Sequence, residues 1–262
     1  MPKPEGWQPP VPEQDESATH SSVEKTEEMA LSAENDDNTE DNEEKNSDVL
    51  CFEDTTAAER AITKCANILS WLLVPLLMPV YGILLIFNLS ILSLSPFGAK
   101  LIVTLTVFAV NFIFPLIMIF LLKKLRLIDD IGLNGRKERF IPYTISIVCL
   151  GGTAWLLWDK GLPVWVTMFY AGGALAALIN MIINFRWKIS AHAAGIAGIV
   201  AMLIQITKEG FPMPGMPYWI AGTIVLAGLL GSARVWLGRH TLLQVLAGSA
   251  VGFICVWVLS LI

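Results

Sequence analysis

Seven apolar stretches follow one another along the chain, at roughly residues 66–89, 98–122, 140–158, 163–184, 191–207, 218–234 and 241–261. About 20 apolar residues cross a bilayer. Hydrocarbon offers no partner to a backbone N–H or C=O, so only helices and closed barrels can span it. Continuous runs of this length, without strict alternation, predict helices. The expected fold class is therefore all-α, a polytopic transmembrane helical bundle of six to seven spans. Connections between the runs are short except for Lys123 to Arg139, and turn residues mark several, such as Ser95-Pro96, Gly161-Leu-Pro163 and Pro212-Met-Pro214-Gly-Met-Pro217. One compact bundle over residues 61–262 is the natural outcome.

The residues before the bundle are of another kind. Residues 1–60 carry 18 Asp/Glu against 4 Lys/Arg, a net charge of −14, whereas residues 61–262 carry 5 against 14, a net of +9. A tail rich in Glu, Asp, Ser, Asn and Thr with few large apolar side chains cannot bury enough surface to offset the entropy of ordering, so residues 1–60 are expected to be a disordered acidic extension. No secretory signal is visible, since the first apolar run begins near residue 66 after a long acidic segment. Insertion is expected through the first helix. Cys51, Cys65, Cys149 and Cys255 form neither a CxxC pair nor a ligand spacing, and no metal site is expected. Small residues recur in Ala171-Gly-Gly-Ala-Leu-Ala-Ala177, Ala191-His-Ala-Ala-Gly195 and Gly248-Ser-Ala-Val-Gly252, a composition that permits close helix approach.

Orientation follows from Lys and Arg. Alternating passage places Arg60, Lys64, Lys123, Lys124, Arg126, Arg136, Lys137, Arg139, Arg186, Lys188, Arg234 and Arg239 on one side, and Lys100, Lys160 and Lys208 on the other. The positive-inside rule assigns the basic side, with the N-terminal tail, to the cytoplasm of a multi-pass cell-membrane protein.

The same alternation brings three polar stretches to that basic face. They are Asn134-Gly-Arg-Lys-Glu-Arg139-Phe-Ile-Pro142-Tyr, Arg186-Trp-Lys188-Ile-Ser190-Ala-His192, and Ser232-Ala-Arg234 through His240 to Gln244. Ionisable groups near membrane depth are costly and mark functional sites. Of three histidines, His20 lies in the tail, while His192 and His240 both begin helices on this face. Cationic side chains around two imidazoles suit phosphoryl transfer: Arg and Lys neutralise phosphate oxygens, one His attacks phosphorus and another protonates the leaving oxygen. His240 and Gln244, four apart, are expected on one face of the seventh helix, where the amide oxygen would take the imidazole N–H and fix the tautomer. A small transporter is a third reading with less support, since such residues cluster at one face instead of lining a path near the midplane.

These residues resemble the type 2 phosphatidic acid phosphatase family over roughly residues 120–262. The family's third motif runs Ser-Arg, five residues, His, three residues, Asp, with a Val and a Gly after it. Arg234, His240, Gln244, Val245 and Gly248 fit that spacing, with Ser232 displaced by one. The second motif, Pro-Ser-Gly-His, is echoed by Ile189-Ser190-Ala191-His192, and the first, Lys then Arg-Pro, faintly by Lys137, Arg139 and Pro142. Gln244 stands where most of the family has Asp, as it also looks to in the glucose-6-phosphatase and dolichyl-diphosphatase branches. By this resemblance His240 would be the nucleophile that forms a phosphohistidine, His192 the general acid, and Gln244 the residue that holds His240. Arg234, Arg139 and Lys137 would cradle the phosphate, with Ser190 adding a hydrogen bond.

The resemblance implies a membrane phosphatase, working without a metal or other cofactor, that hydrolyses a lipid phosphate or diphosphate drawn from the surrounding membrane lipids. The alternative is a catalytically weakened relative that binds an anionic lipid or a partner protein through the same basic pocket. No nucleic-acid partner is expected, and the sequence leaves homo-oligomer formation open.

Overall fold

The computed structural model describes residues 57–124, 140–209 and 212–261. The chain divides into two units, Met1–Arg60 and Ala61–Ile262. Of the first, only residues 57–60 are described, as the opening turn of a helix. The rest of the acidic tail lies outside the described residues, and so do Lys137 and Arg139.

All regular structure among the described residues is helical. The elements are α1 (Ala57–Leu72), α2 (Met78–Leu89), α3 (Phe97–Phe108), α4 (Phe114–Lys124), α5 (Phe140–Asp159), α6 (Val164–Asn184), α7 (Ala191–Glu209), α8 (Met216–Trp236) and α9 (Leu242–Leu259). They form seven stretches long and apolar enough to cross a membrane: Ala57–Leu89, Phe97–Lys124, Phe140–Asp159, Val164–Asn184, Ala191–Lys208, Met216–Trp236 and Leu242–Leu259. These are the seven expected runs, and the chain is a multi-pass membrane protein.

Two of the seven are not single straight helices. The first breaks after Leu72: Val74 is extended (φ −64°, ψ 140°), and a short 3-10 turn at Pro75–Leu77 leads into α2. Pro75 has no N–H to continue the ladder and pushes the residue before it out of the helical region. The Tyr81 hydroxyl donates to the Leu72 carbonyl at 2.8 Å, supplying a partner that the break removed. In the second stretch a π turn, Ala109–Ile113, joins α3 to α4, and the Phe114 N–H reaches the Ala109 carbonyl. Pro115 follows at once and cannot donate to residue 111, so the helix widens ahead of it. Within that turn buried Asn111 donates from Nδ2 to the Val107 carbonyl (3.1 Å) and to Thr153 Oγ1 of α5 (2.7 Å). The described residues thus include a polar pair deep within the spans, in addition to the polar groups expected at one face.

Helix α7 is the centre of the bundle. Ile196, Met202, Leu203 and Ile206 are fully enclosed, against Ile83 and Ile86 of α2, Tyr170 of α6, Leu230 of α8 and Val256 of α9. Its longest contact is with α9, while α6 packs along both α5 and α9. Outward faces carry large apolar side chains such as Ile102, Phe120, Trp155, Val225 and Leu246, as a lipid-facing surface requires. One end of the bundle joins the Leu89 carbonyl to the Met213 N–H (3.1 Å) and holds Lys208 4.1 Å from the Trp257 ring centroid. The opposite end joins Phe140 to Phe185, Thr63 to Trp236, and Ser190 to Gln244.

Candidate active site

The site grows from the way α8 stops. Gly238 has φ +62°, a left-handed conformation that favours glycine. It lets the Gly238 N–H bond the Val235 carbonyl (2.9 Å) and the Arg239 N–H bond the Arg234 carbonyl (3.1 Å), a Schellman cap. The His240 N–H also reaches the Arg234 carbonyl, at 3.3 Å. The spacing between Arg234 and His240 is therefore the length of one helix cap, and it pins the two backbones together. His240 is 7 % exposed.

Next, α9 begins with a capping box. Thr241 Oγ1 accepts the Gln244 N–H (3.4 Å), and Gln244 Oε1 accepts the Thr241 N–H (3.3 Å). The same Oε1 lies 3.2 Å from His240 Nδ1. The expectation that both residues share a face of one helix is corrected here, because α9 starts at Leu242 and His240 precedes its cap. The contact forms through the cap instead. Since Oε1 already accepts a backbone N–H, it is the oxygen end of the amide, and an oxygen can only accept. Nδ1 must therefore carry the proton, which leaves Nε2 with the lone pair.

Ser190 caps α7. Its Oγ accepts the Ala193 N–H (3.4 Å), its carbonyl accepts the Ala194 N–H (3.1 Å), and its own N–H donates to the Gln244 carbonyl (3.3 Å). It is 0 % exposed. Its hydroxyl thus shapes the helix start first, and a phosphate oxygen would be a second partner for its O–H. His192 follows two residues on, partly buried, in the first turn of α7.

Helices α7 and α9 run parallel, with both N-termini at this end. A Cβ on Gly248 would overlap the Ser190 carbonyl oxygen, and one on Gly252 would overlap the Ala194 carbonyl oxygen. Glycine at these two positions is what allows backbone to meet backbone. Two helix N-termini held together bring about half a positive charge each to one place, where an anion is favoured. Among the described residues Lys64, Lys123, Lys124, Arg186, Lys188, Arg234 and Arg239 lie at this end, against Lys100, Lys160 and Lys208 at the other.

Of the residues expected from sequence, Ser190, Gln244, His240 and Arg234 are joined by one run of hydrogen bonds, and His192 stands beside it. Lys137 and Arg139 are outside the described residues. Sequence reasoning missed Gly238 and Thr241, although Thr241-Leu-Leu-Gln244 has the capping-box pattern. Among the described residues no group of three or more His, Cys, Asp or Glu is placed to hold a metal ion. Compared with models of protein families, with curated proteins and with solved structures, the chain matches none.

Proposed function

We propose that the protein is a membrane phosphatase that hydrolyses a lipid phosphate or diphosphate through a phosphohistidine. The observation that carries this reading is the clamp on His240: Nδ1 held 3.2 Å from Gln244 Oε1, on a residue whose N–H is tied to Arg234. It favours the tautomer whose Nε2 can attack.

In the proposed reaction Nε2 forms a bond to phosphorus while the bond from phosphorus to the leaving oxygen breaks. His192 gives its proton to that oxygen and releases the dephosphorylated lipid, or its monophosphate from a diphosphate. Water then attacks phosphorus, His192 takes a proton from it, the N–P bond breaks, and inorganic phosphate leaves. Arg234, the N–H groups of the two helix starts, and Arg139 and Lys137 by family resemblance would hold the phosphate oxygens. A site at helix ends takes the headgroup while the chains stay in the bilayer. The excess of basic residues at this end favours a cytoplasmic site.

A weakened relative that binds an anionic lipid or a partner protein with the same pocket is the second reading, favoured by the neutrality of Gln244, which gives the clamp no charge to stabilise an imidazolium. Phosphate release by the full-length protein in detergent, without added metal, separates the two. Release from phosphatidate, phosphatidylglycerophosphate or undecaprenyl diphosphate that disappears in His240→Ala supports the phosphatase. Tight lipid binding with no release from any of them supports the relative.

A further inference from the structure

Helix α1 turns a polar stripe to the outside of the bundle. Lys64, Asn67 and Trp71 are spaced by three and four residues, within about 60° of one another around the helix. All three are exposed, Trp71 by 82 %. The buried residues of α1, Ala66 and Ser70, lie on another side. Trp236 Nε1 donates to Thr63 Oγ1 at 3.1 Å, which sets Thr63 level with the last turn of α8, where that span ends. Lys64 therefore stands at the basic membrane boundary. Asn67 lies about 4.5 Å and Trp71 about 10 Å farther into the bilayer along the helix axis.

Each of these side chains offers a donor. Lys64 carries an ammonium group, and the Trp71 indole N–H can only donate. One N–H of the Asn67 amide reaches the Thr63 carbonyl at 3.0 Å, and the amide has a second to give. Hydrocarbon offers no acceptor, and an unpaired donor there is costly. Helical side chains tilt toward the N-terminus, here the basic end, so Asn67 and Trp71 lean back toward the headgroup region. Donors graded by depth fit a ligand whose acceptors are graded in the same way, an anionic group at the boundary with neutral carbonyls just beneath it. A second copy of α1 paired across a two-fold axis would instead bring Lys64 against Lys64, and like charges repel.

We infer that Lys64, Asn67 and Trp71 form a binding site on the lipid-facing side of α1 for one anionic phosphodiester lipid, held as a bound lipid and not as a substrate. Lys64 pairs with the headgroup, as basic residues at a membrane boundary attract anionic lipid. Asn67 and Trp71 donate to the ester carbonyls below it. A phosphodiester headgroup has no terminal phosphate to release, so this site is separate from the proposed chemistry at His240 and does not rest on it. The lipid adds to the hold on α1, in which Ala66 and Ser70 are the buried residues.

The test titrates the full-length protein in neutral detergent with dioleoyl phosphatidylglycerol or dioleoyl phosphatidylcholine and reads the bound lipid by native mass spectrometry. The wild type should prefer phosphatidylglycerol by about fivefold, the scale of one Lys beside an anionic lipid. Lys64→Gln should bring the ratio close to one, and Lys64→Arg should keep it. Lys124→Gln, exposed at the same end, should leave the ratio unchanged. Asn67→Leu and Trp71→Phe should each weaken both lipids by about fivefold, the scale of one neutral hydrogen bond, and leave the preference, because both lipids carry ester carbonyls. Equal binding of the two lipids by the wild type, a preference that survives Lys64→Gln, or undiminished binding in both Asn67→Leu and Trp71→Phe overturns the inference. A concentration-dependent dimer that Asn67→Leu abolishes and added lipid leaves intact also overturns it, since the stripe would then be a seam between copies.

Discussion

Gly252→Ala tests the claim that the site is held by backbone contact between α7 and α9. A Cβ at residue 252 would sit 2.7 Å from the Ala194 Cα and closer still to its carbonyl carbon and oxygen. Carbon atoms in contact prefer about 3.5–4.0 Å. Both partners are helix backbone, so neither can swing aside, and the two helices must separate by about 1 Å. Overpacking of this kind costs about 1–3 kcal/mol. Four residues back along α7 and eight back along α9, the same separation acts on the Ser190 to Gln244 hydrogen bond, which is already 3.3 Å long. Misplacement of a reacting group by 1 Å can cost about 10²-fold in rate. The assay is thermal unfolding of the full-length protein in detergent alongside phosphate release, with Gly222→Ala as control, since a Cβ at Gly222 meets nothing within 4 Å. The control should match the wild type or exceed its stability, because Ala favours a helix over Gly. Wild-type stability and turnover in Gly252→Ala would refute the reasoning.

Other expectations follow from single contacts. Gln244→Leu removes the acceptor shared by His240 and Thr241, and phosphate release should fall by about 10²-fold or more, the scale of a positioned acid or base, while Gln244→Glu, which keeps an acceptor oxygen, should retain far more; equal losses would argue against the clamp. Gly238→Ala has open space for its Cβ, so its effect is that of the positive φ alone, about 1–2 kcal/mol in a denaturant or thermal series. Thr153→Val removes the 2.7 Å partner of Asn111 between spans and should lower stability by about 0.6–2 kcal/mol in detergent unfolding. No change there would mean that the pair does not hold α5 to the π turn.

The spans were legible because a bilayer leaves the backbone few choices, and seven apolar runs became seven helical stretches with similar ends, except that the first begins at Ala57, ahead of the run expected from about residue 66. Interruptions were less legible. Pro75 and Pro115 were plain to see, but hydropathy is blind to a missing N–H, and the first run reads as one helix until Val74 is found extended. At the site, the spacing of Arg234, His240 and Gln244 was legible, while its cause was not. The sequence reading set His240 on a helix, whereas Gly238 ends one helix and Thr241 starts the next, with His240 in the bend. Glycines at 248 and 252 read as ordinary small-residue packing. Only the folded chain shows that they bring two backbones together beside the site. The pairing of Asn111 with Thr153 joins residues 42 apart, and no local pattern announces such a contact.

The proposed mechanism requires a covalent intermediate on His240. The most direct measurement incubates the full-length protein with phosphatidate, quenches it rapidly under alkaline conditions that preserve a phosphohistidine, and maps the modified peptide by mass spectrometry. Phosphate is expected on His240, gone in His240→Ala and longer-lived in His192→Ala. Phosphate release without modified His240 at any quench time, or modification at another residue, would contradict it.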